Sequence, residues 1–223
     1  MRQGLHEAGE GEEMSRPKLL DLFCGAGGAA MGYYRAGFEV VGIDIEHQRH
    51  FPFEFHRADA LIFPLEGYDV IHASPPCQAY TKAAKQWRKL GRKYSDLIGV
   101  VRNRLKGKIY IIENVPGSPL VNPIILNGAM FDLKIHRIRW FELGGFEIPA
   151  FLIPSMPSPI KMGRAIKNGD IIQPIGHFSG VEYARQQMGI NWMNQSELAD
   201  AIPPAYTEFI GKQLMKTLKG TDQ

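Results

Sequence analysis

Four short apolar runs, Leu19 to Phe23, Glu39 to Ile43, Tyr68 to Ala73 and Ile109 to Glu113, each lead into a turn and are separated by stretches long enough to hold a helix. Runs of that length and apolar density suit strands buried on both faces, and helix-length connections favour parallel pairing. The expected fold class is therefore α/β, a doubly wound, mostly parallel sheet. Helices are expected over Ala29 to Ala36, Ser95 to Leu105 and Thr207 to Lys219, the last on the spacing of Phe209, Ile210, Leu214 and Leu218. Sheets of this kind bind ligands beyond the carboxyl ends of their strands. Here those ends carry Cys24-Gly25-Ala26-Gly27-Gly28, Asp44, Ser74-Pro75-Pro76-Cys77 and Glu113-Asn114, so one pocket could collect all four.

The chain has 223 residues, 44% hydrophobic and 22% charged, the composition of one soluble domain with a sizeable core. Residues 1–17, with Glu7, Glu10, Glu12 and Glu13, read as a disordered tail. No run is long enough to span a bilayer and no signal-peptide core is evident, so a cytoplasmic protein without membrane attachment is expected. The two cysteines, Cys24 and Cys77, read as separate thiols, and no zinc-binding set is present. From Lys82 to Lys108 ten lysines and arginines face the single acid Asp96, so this stretch is net +9 within a chain of net +3. It is either a solvated helix face or a surface that tracks phosphates.

Each strand end admits a bland and a chemical reading. The glycines after β-like Leu19 to Phe23 suit close approach to a ligand or tight packing. Asp44 could bind ribose hydroxyls or cap a helix. Asp59, in Arg57-Ala58-Asp59-Ala60, could accept from an adenine amino group or sit in a surface turn. Two prolines before Cys77 give it the rigid presentation that a nucleophile needs. Glu113 closes an apolar run, where a carboxyl's pKa tends to rise, as suits a proton donor. In Arg137-Ile138-Arg139 a strand would turn both guanidiniums to one face, toward a ligand or toward solvent at an edge.

Taken in order from about Lys18 to Gln213, these segments resemble the DNA cytosine-5 methyltransferase family. The resemblance implies a Rossmann-like class I methyltransferase domain that uses S-adenosyl-L-methionine. It implies that Phe23, Cys24, Gly25, Gly27 and Gly28 cradle the cofactor, that Asp44 holds its ribose, and that Ile45, Asp59 and Ala60 flank its adenine, with Pro76 and Asp200 nearby. Cys77 would be the nucleophile toward C6 of a flipped-out cytosine, Glu113 would bind N3 and the exocyclic amine, Arg139 would hold O2, and Arg137 would help position the base. Gln78 and the basic loop, with Lys82, Lys85, Gln86, Trp87, Arg88 and Lys89, would meet duplex DNA. A monomer without metal is expected.

The sequence departs from the family in two places. The family inserts a hundred or more residues for target recognition where this chain has room for roughly fifty, so residues 143–187 are expected to form a reduced, irregular insert. Residues 18–142 and 188–223 would then form the catalytic domain. A short or relaxed recognition sequence follows, read by Lys161, Arg164, Lys167, Asn168 or His177, because each good base contact adds only about 1–3 kcal/mol of discrimination. Ala199-Asp200 also stands where Gly and Asn are usual. Two alternatives stay open: the same chemistry on transfer RNA, and a silent nucleic-acid-binding protein.

Overall fold

The computed structural model describes residues 15–81, 84–161 and 163–220, with the Trp87 side chain outside that description. Its framework is a seven-stranded sheet ordered β3-β2-β1-β4-β5-β7-β6. The strands are β1 (Lys18–Leu22), β2 (Glu39–Asp44), β3 (Glu54–Arg57), β4 (Val70–Ala73), β5 (Tyr110–Asn114), β6 (Ile124–Leu126) and β7 (Arg139–Gly144). Pairings from β3 to β5 are parallel, whereas β7 runs antiparallel to both β5 and β6. The chain reverses direction across the sheet at β1, which lies between β2 and β4, and this is where such sheets open a crevice.

Side-chain alternation along β1 divides the core. Leu19 joins Val40, Val70 and Ile111 beneath α1 (Gly28–Ala36) and the long carboxyl-terminal helix, whereas Leu20 and Leu22 join Val41, Ile71 and Ile112 on the other face. That second face is covered by Val101 of a helix at Ile98–Arg104 and by the following Leu105. In chain order the helices are α1, α2 (Lys85–Lys89), α3 (Ile98–Arg104), α4 (Val181–Met188), α5 (Gln195–Asp200) and α6 (Pro204–Gly220). The α1 and α6 helices meet at Gly32, where a Cβ would lie 2.0 Å from Thr207 Oγ1 and 2.2 Å from Pro204 O. Only glycine permits that approach.

The expected strands and helices appear within a few residues of their predicted limits. The edge strand β3, with the sequence Glu-Phe-His-Arg and mostly exposed, carries little apolar signal, and three-residue β6 is too short to carry a pattern. One expectation is corrected: β7 begins at Arg139, so Arg137 and Arg139 do not share a strand face. Residues 145–180 contain no helix or strand among those described, only a bridge from Ile135 to Ile172. A satellite core of Ile135, Ile172, Phe178, Ala184 and Met188 packs this region against α4 and α5. No described helix is long and apolar enough to cross a membrane, and no described group of three His, Cys, Asp or Glu could hold a metal.

Candidate active site

A cavity of about 390 Å³ opens at the carboxyl ends of the central strands, where Phe23, Asp44, Cys77, Glu113, Arg139 and Asp200 line one space. A larger recess, about 600 Å³, lies at the opposite end of β5 beside Arg102, Lys106 and Lys108 and contains none of the predicted catalytic groups.

Backbone geometry shapes the first wall. Phe23 and Gly25 both take positive φ, 58° and 50°, which turns the chain from β1 toward α1. The Gly25 N–H donates to Asp44 Oδ2 at 3.0 Å while Glu46 N–H donates to Oδ1 at 3.0 Å, so Asp44 is fixed by two backbone donors at the lip of β2. Gly27 lies outside the cavity lining. A Cβ there would sit 2.7 Å from Pro52, so packing accounts for that glycine, whereas Gly28 lines the cavity and a Cβ on it would sit 2.5 Å from Ile202 O. Asp59 is exposed and accepts from Leu61 N at 2.8 Å as a turn residue, and neither it nor buried Ala60 lines the cavity.

Cys77 stands in the loop after β4, and its carbonyl accepts from Tyr80 N and Thr81 N at 2.9 Å each, which starts a tight turn. Asn114 Nδ2 donates to Pro75 O at 2.9 Å and Asn114 Oδ1 accepts from Val115 N at 2.9 Å, so this buried amide ties the end of β5 to the cysteine loop. Burial pushes the Cys77 thiol up, the carboxylates of Glu113 and Asp200 add to the effect, and Arg139 opposes it. Burial holds Cys24 protonated far more strongly. The two thiols therefore differ in access and in proton affinity.

Glu113 is buried, and Arg139 Nε lies 2.8 Å from its Oε1. Burial raises the Glu113 pKa, while Arg139, Arg137 and the Ser74 hydroxyl draw it back. Arg137 proves structural: its Nη1 donates to Pro174 O and its Nη2 to Ala199 O, both at 2.8 Å, pinning the irregular insert to the last helices. Two of its nitrogens are committed to those carbonyls, its Nε is buried without a hydrogen-bond partner in the protein, and the residue lies outside the cavity lining, a correction to the paired-arginine reading. Asp21 is fully buried at the cavity wall, with both carboxyl oxygens lacking a hydrogen-bond partner within the protein. Burial raises its pKa strongly.

The basic loop is partly committed to itself. Arg88 Nη1 donates to Gln78 O at 2.6 Å and Thr81 O at 3.0 Å, so Arg88 braces the cysteine loop. Gln78 reaches the cavity, and Lys85, Gln86 and Lys89 are exposed on α2. Lys82 and the Trp87 side chain lie outside the described residues. In the insert, Arg164 pairs with Asp170 at 2.6 Å, while Lys161, Lys167, Asn168 and His177 are exposed.

Several lining residues escaped sequence reasoning. Met193, Ser196 and Glu197 come from the start of α5, and Glu197 also meets His50 Nδ1 at 2.8 Å. Trp192 Nε1 donates to Ala26 O at 2.8 Å and anchors the glycine turn. The capping box formed by Asn194 and Glu197 was a usable sign of the α5 start.

The profile of the C-5 cytosine-specific DNA methylase family matches residues 17–123. A type II methyltransferase of Herpetosiphon aurantiacus is 34% identical over 89 residues, covering 34% of this chain and 71% of that protein. Another, from Oceanobacillus iheyensis, is 24% identical over 234 residues, covering 83% of this chain and 48% of its own length. The chain thus spans about half of the Oceanobacillus relative. A DNA modification methyltransferase encoded in an E. coli prophage superposes with a TM-score of 0.62 at 16% identity, covering 91% of this chain and 99% of that one. The S. pombe Dnmt2 methyltransferase superposes at 0.59 with 13% identity, covering 92% and 99%. These likenesses extend the fold over nearly the whole chain, and the matched sequence runs from β1 through the Cys77 loop and Glu113, so the chain belongs to the C-5 cytosine-specific DNA methylase family.

Proposed function

We propose that the protein transfers a methyl group from S-adenosyl-L-methionine to C5 of a cytosine in DNA, using Cys77 as a covalent nucleophile. The observation that carries this reading is the convergence of Cys77, Glu113 and Arg139 on one cavity with a 2.8 Å ion pair inside it. The cavity also suits the cofactor. Asp21 presents two partnerless buried carboxyl oxygens that match a cationic amino-acid end, and Asp44 stands, backbone-bound, where a ribose would be held. When bound, the cofactor supplies an electrophilic methyl group.

The chain's own residues prepare the base to accept it. The Cys77 thiolate adds to C6, forming a sulfur–carbon bond and moving electron density to C5. Glu113 gives a proton to N3 as that density builds, while Arg139 holds the carboxyl and the O2 side of the ring. After methylation, the C5 proton leaves to solvent, the sulfur–carbon bond breaks, N3 returns its proton to Glu113, and aromaticity returns with Cys77 as thiolate. C5 is unreachable within a stacked duplex, so the base must be flipped into the cavity. Exposed Lys85 and Lys89, close in sequence to Cys77, supply charge for the flanking phosphates. The short insert offers few side chains to the major groove and thereby supports a short or relaxed recognition sequence.

The test is incubation with labelled S-adenosyl-L-methionine and, separately, duplex DNA, transfer RNA and deoxycytidine monophosphate, beside a Cys77→Ala variant. Label recovered as 5-methylcytosine in DNA, and lost in the variant, is expected. Label in transfer RNA alone would overturn the substrate, and DNA binding without transfer would overturn the activity.

A further inference from the structure

Three polar side chains, Tyr33, His72 and Ser74, form a hydrogen-bonded line that ends beside Glu113 at the cavity wall. Alternation places His72 and Ser74 on the α1 side of β4, between residues whose neighbours Ile71 and Ala73 pack on the opposite face. Tyr33, fully buried on α1, has its hydroxyl 2.9 Å from His72 Nδ1, and His72 Nε2 lies 2.8 Å from Ser74 Oγ. Ser74 follows Ala73, the register partner of Ile112, so it lies beside Glu113 on the neighbouring strand and lines the same cavity. A histidine in an otherwise apolar strand core is costly unless both ring nitrogens are satisfied, and here both are.

The direction of the hydrogens follows from what each group can do. Tyr33 has one hydroxyl proton, and no acceptor other than His72 is within its reach among the hydrogen bonds of the described residues. If Tyr33 donates to Nδ1, then Nε2–H donates to Ser74 and the Ser74 O–H is free to donate to Glu113. The opposite tautomer would strand the Tyr33 proton and turn Ser74 away from the carboxyl. Burial pushes the His72 pKa down to about 3, which keeps the ring neutral and the line one-directional.

We propose that Tyr33, His72 and Ser74 form a positioning relay, a one-way line of donors that orients the Glu113 carboxyl within the cavity. The relay acts opposite Arg139, so the carboxyl is held from two sides and can present an edge to a base. The other charged or titratable groups around Glu113 are Arg137 ahead of β7, Cys77 in the loop, and Asp21 on β1. None of these three donates in the line. As a donor to the carboxylate, Ser74 favours the ionised form, so its removal must raise the pH at which Glu113 titrates.

This inference assigns Glu113 its role from the proposed methyl transfer, but its primary test needs no turnover. Carboxyl carbon NMR of the glutamate-labelled full chain would follow Glu113 through pH, assigned with Glu113→Gln, in wild type, Ser74→Ala, His72→Leu and Tyr33→Phe. An upward displacement is expected in Ser74→Ala and His72→Leu, with a smaller one in Tyr33→Phe, the member of the line farthest from Glu113. The limb of the methyl-transfer pH profile that Glu113 governs should move up in the same order, with turnover lowered on the order of ten-fold in Ser74→Ala and KM for DNA unchanged. An unmoved Glu113 titration in folded Ser74→Ala overturns the relay, and an unmoved titration in folded His72→Leu overturns it independently. Displaced titrations in a wild-type protein that transfers no methyl group would leave the relay standing and overturn the proposed function.

Discussion

At the scale of single residues, charge and burial decide how Cys77 works. Its thiol is pushed up by burial and by the acids around it, so the thiolate is the minor form at neutral pH and must gain population as pH rises. Alkylation of Cys77 by iodoacetamide should therefore climb steadily from pH 6 to 9, and a flat profile would contradict that ionisation. Asp200, standing where the family usually has Asn, is one of the carboxylates opposing that ionisation. Asp200→Asn should thus lower the Cys77 pKa and speed its alkylation by iodoacetamide several-fold at pH 7.5. Mass spectrometry separates this from Cys24, which burial keeps protonated and unreactive. The sequence singled out Cys77 and Glu113 because Cys77 stands in a proline-fixed loop after an apolar run and Glu113 closes an apolar strand. It could not separate Arg137 from Arg139, because their roles depend on carbonyls of Pro174 and Ala199 contributed from far along the chain.

Between elements, close approach sets the geometry of the site. Helix α6 presses on α1 through Gly32, and a methyl group there would meet the Thr207 hydroxyl and the Pro204 carbonyl well inside contact distance. Gly32→Ala should destabilise the fold by about 1–3 kcal/mol, read from urea unfolding, despite alanine's better helix propensity. Arg137 performs the corresponding task for the insert, joining residue 174 to the end of α5. Arg137→Met should cost about 1.5–3 kcal/mol and loosen protection of the insert and α5 amides in hydrogen exchange, with protection of the central strands retained. Helix α1 and the strands β1, β2, β4 and β5 were readable from periodicity. β6 was not, since a three-residue strand leaves no apolar signature.

Across the whole molecule, the charge is uneven, with a net +9 stretch from Lys82 to Lys108 in a chain of net +3. If Lys85 and Lys89 meet phosphates, replacing both with alanine should flatten the dependence of log binding on log salt by about 1.8 for duplex DNA. An unchanged slope would place the phosphates elsewhere. Arg88 belongs to a different class, because its guanidinium already braces Gln78 and Thr81. The sequence by itself determined the sheet class, the order of the chemistry-bearing strand ends and the choice of Cys77 as candidate nucleophile, because strand length, helix spacing and proline-fixed turns are local properties. The tertiary structure alone decided which arginine faces Glu113, that Gly27 stays outside the cavity while Gly28 lines it, that Asp59 stays outside the cavity, and that Tyr33, His72 and Ser74 form one hydrogen-bonded line. Each of these depends on atoms brought together from distant segments, and no local pattern encodes that distance.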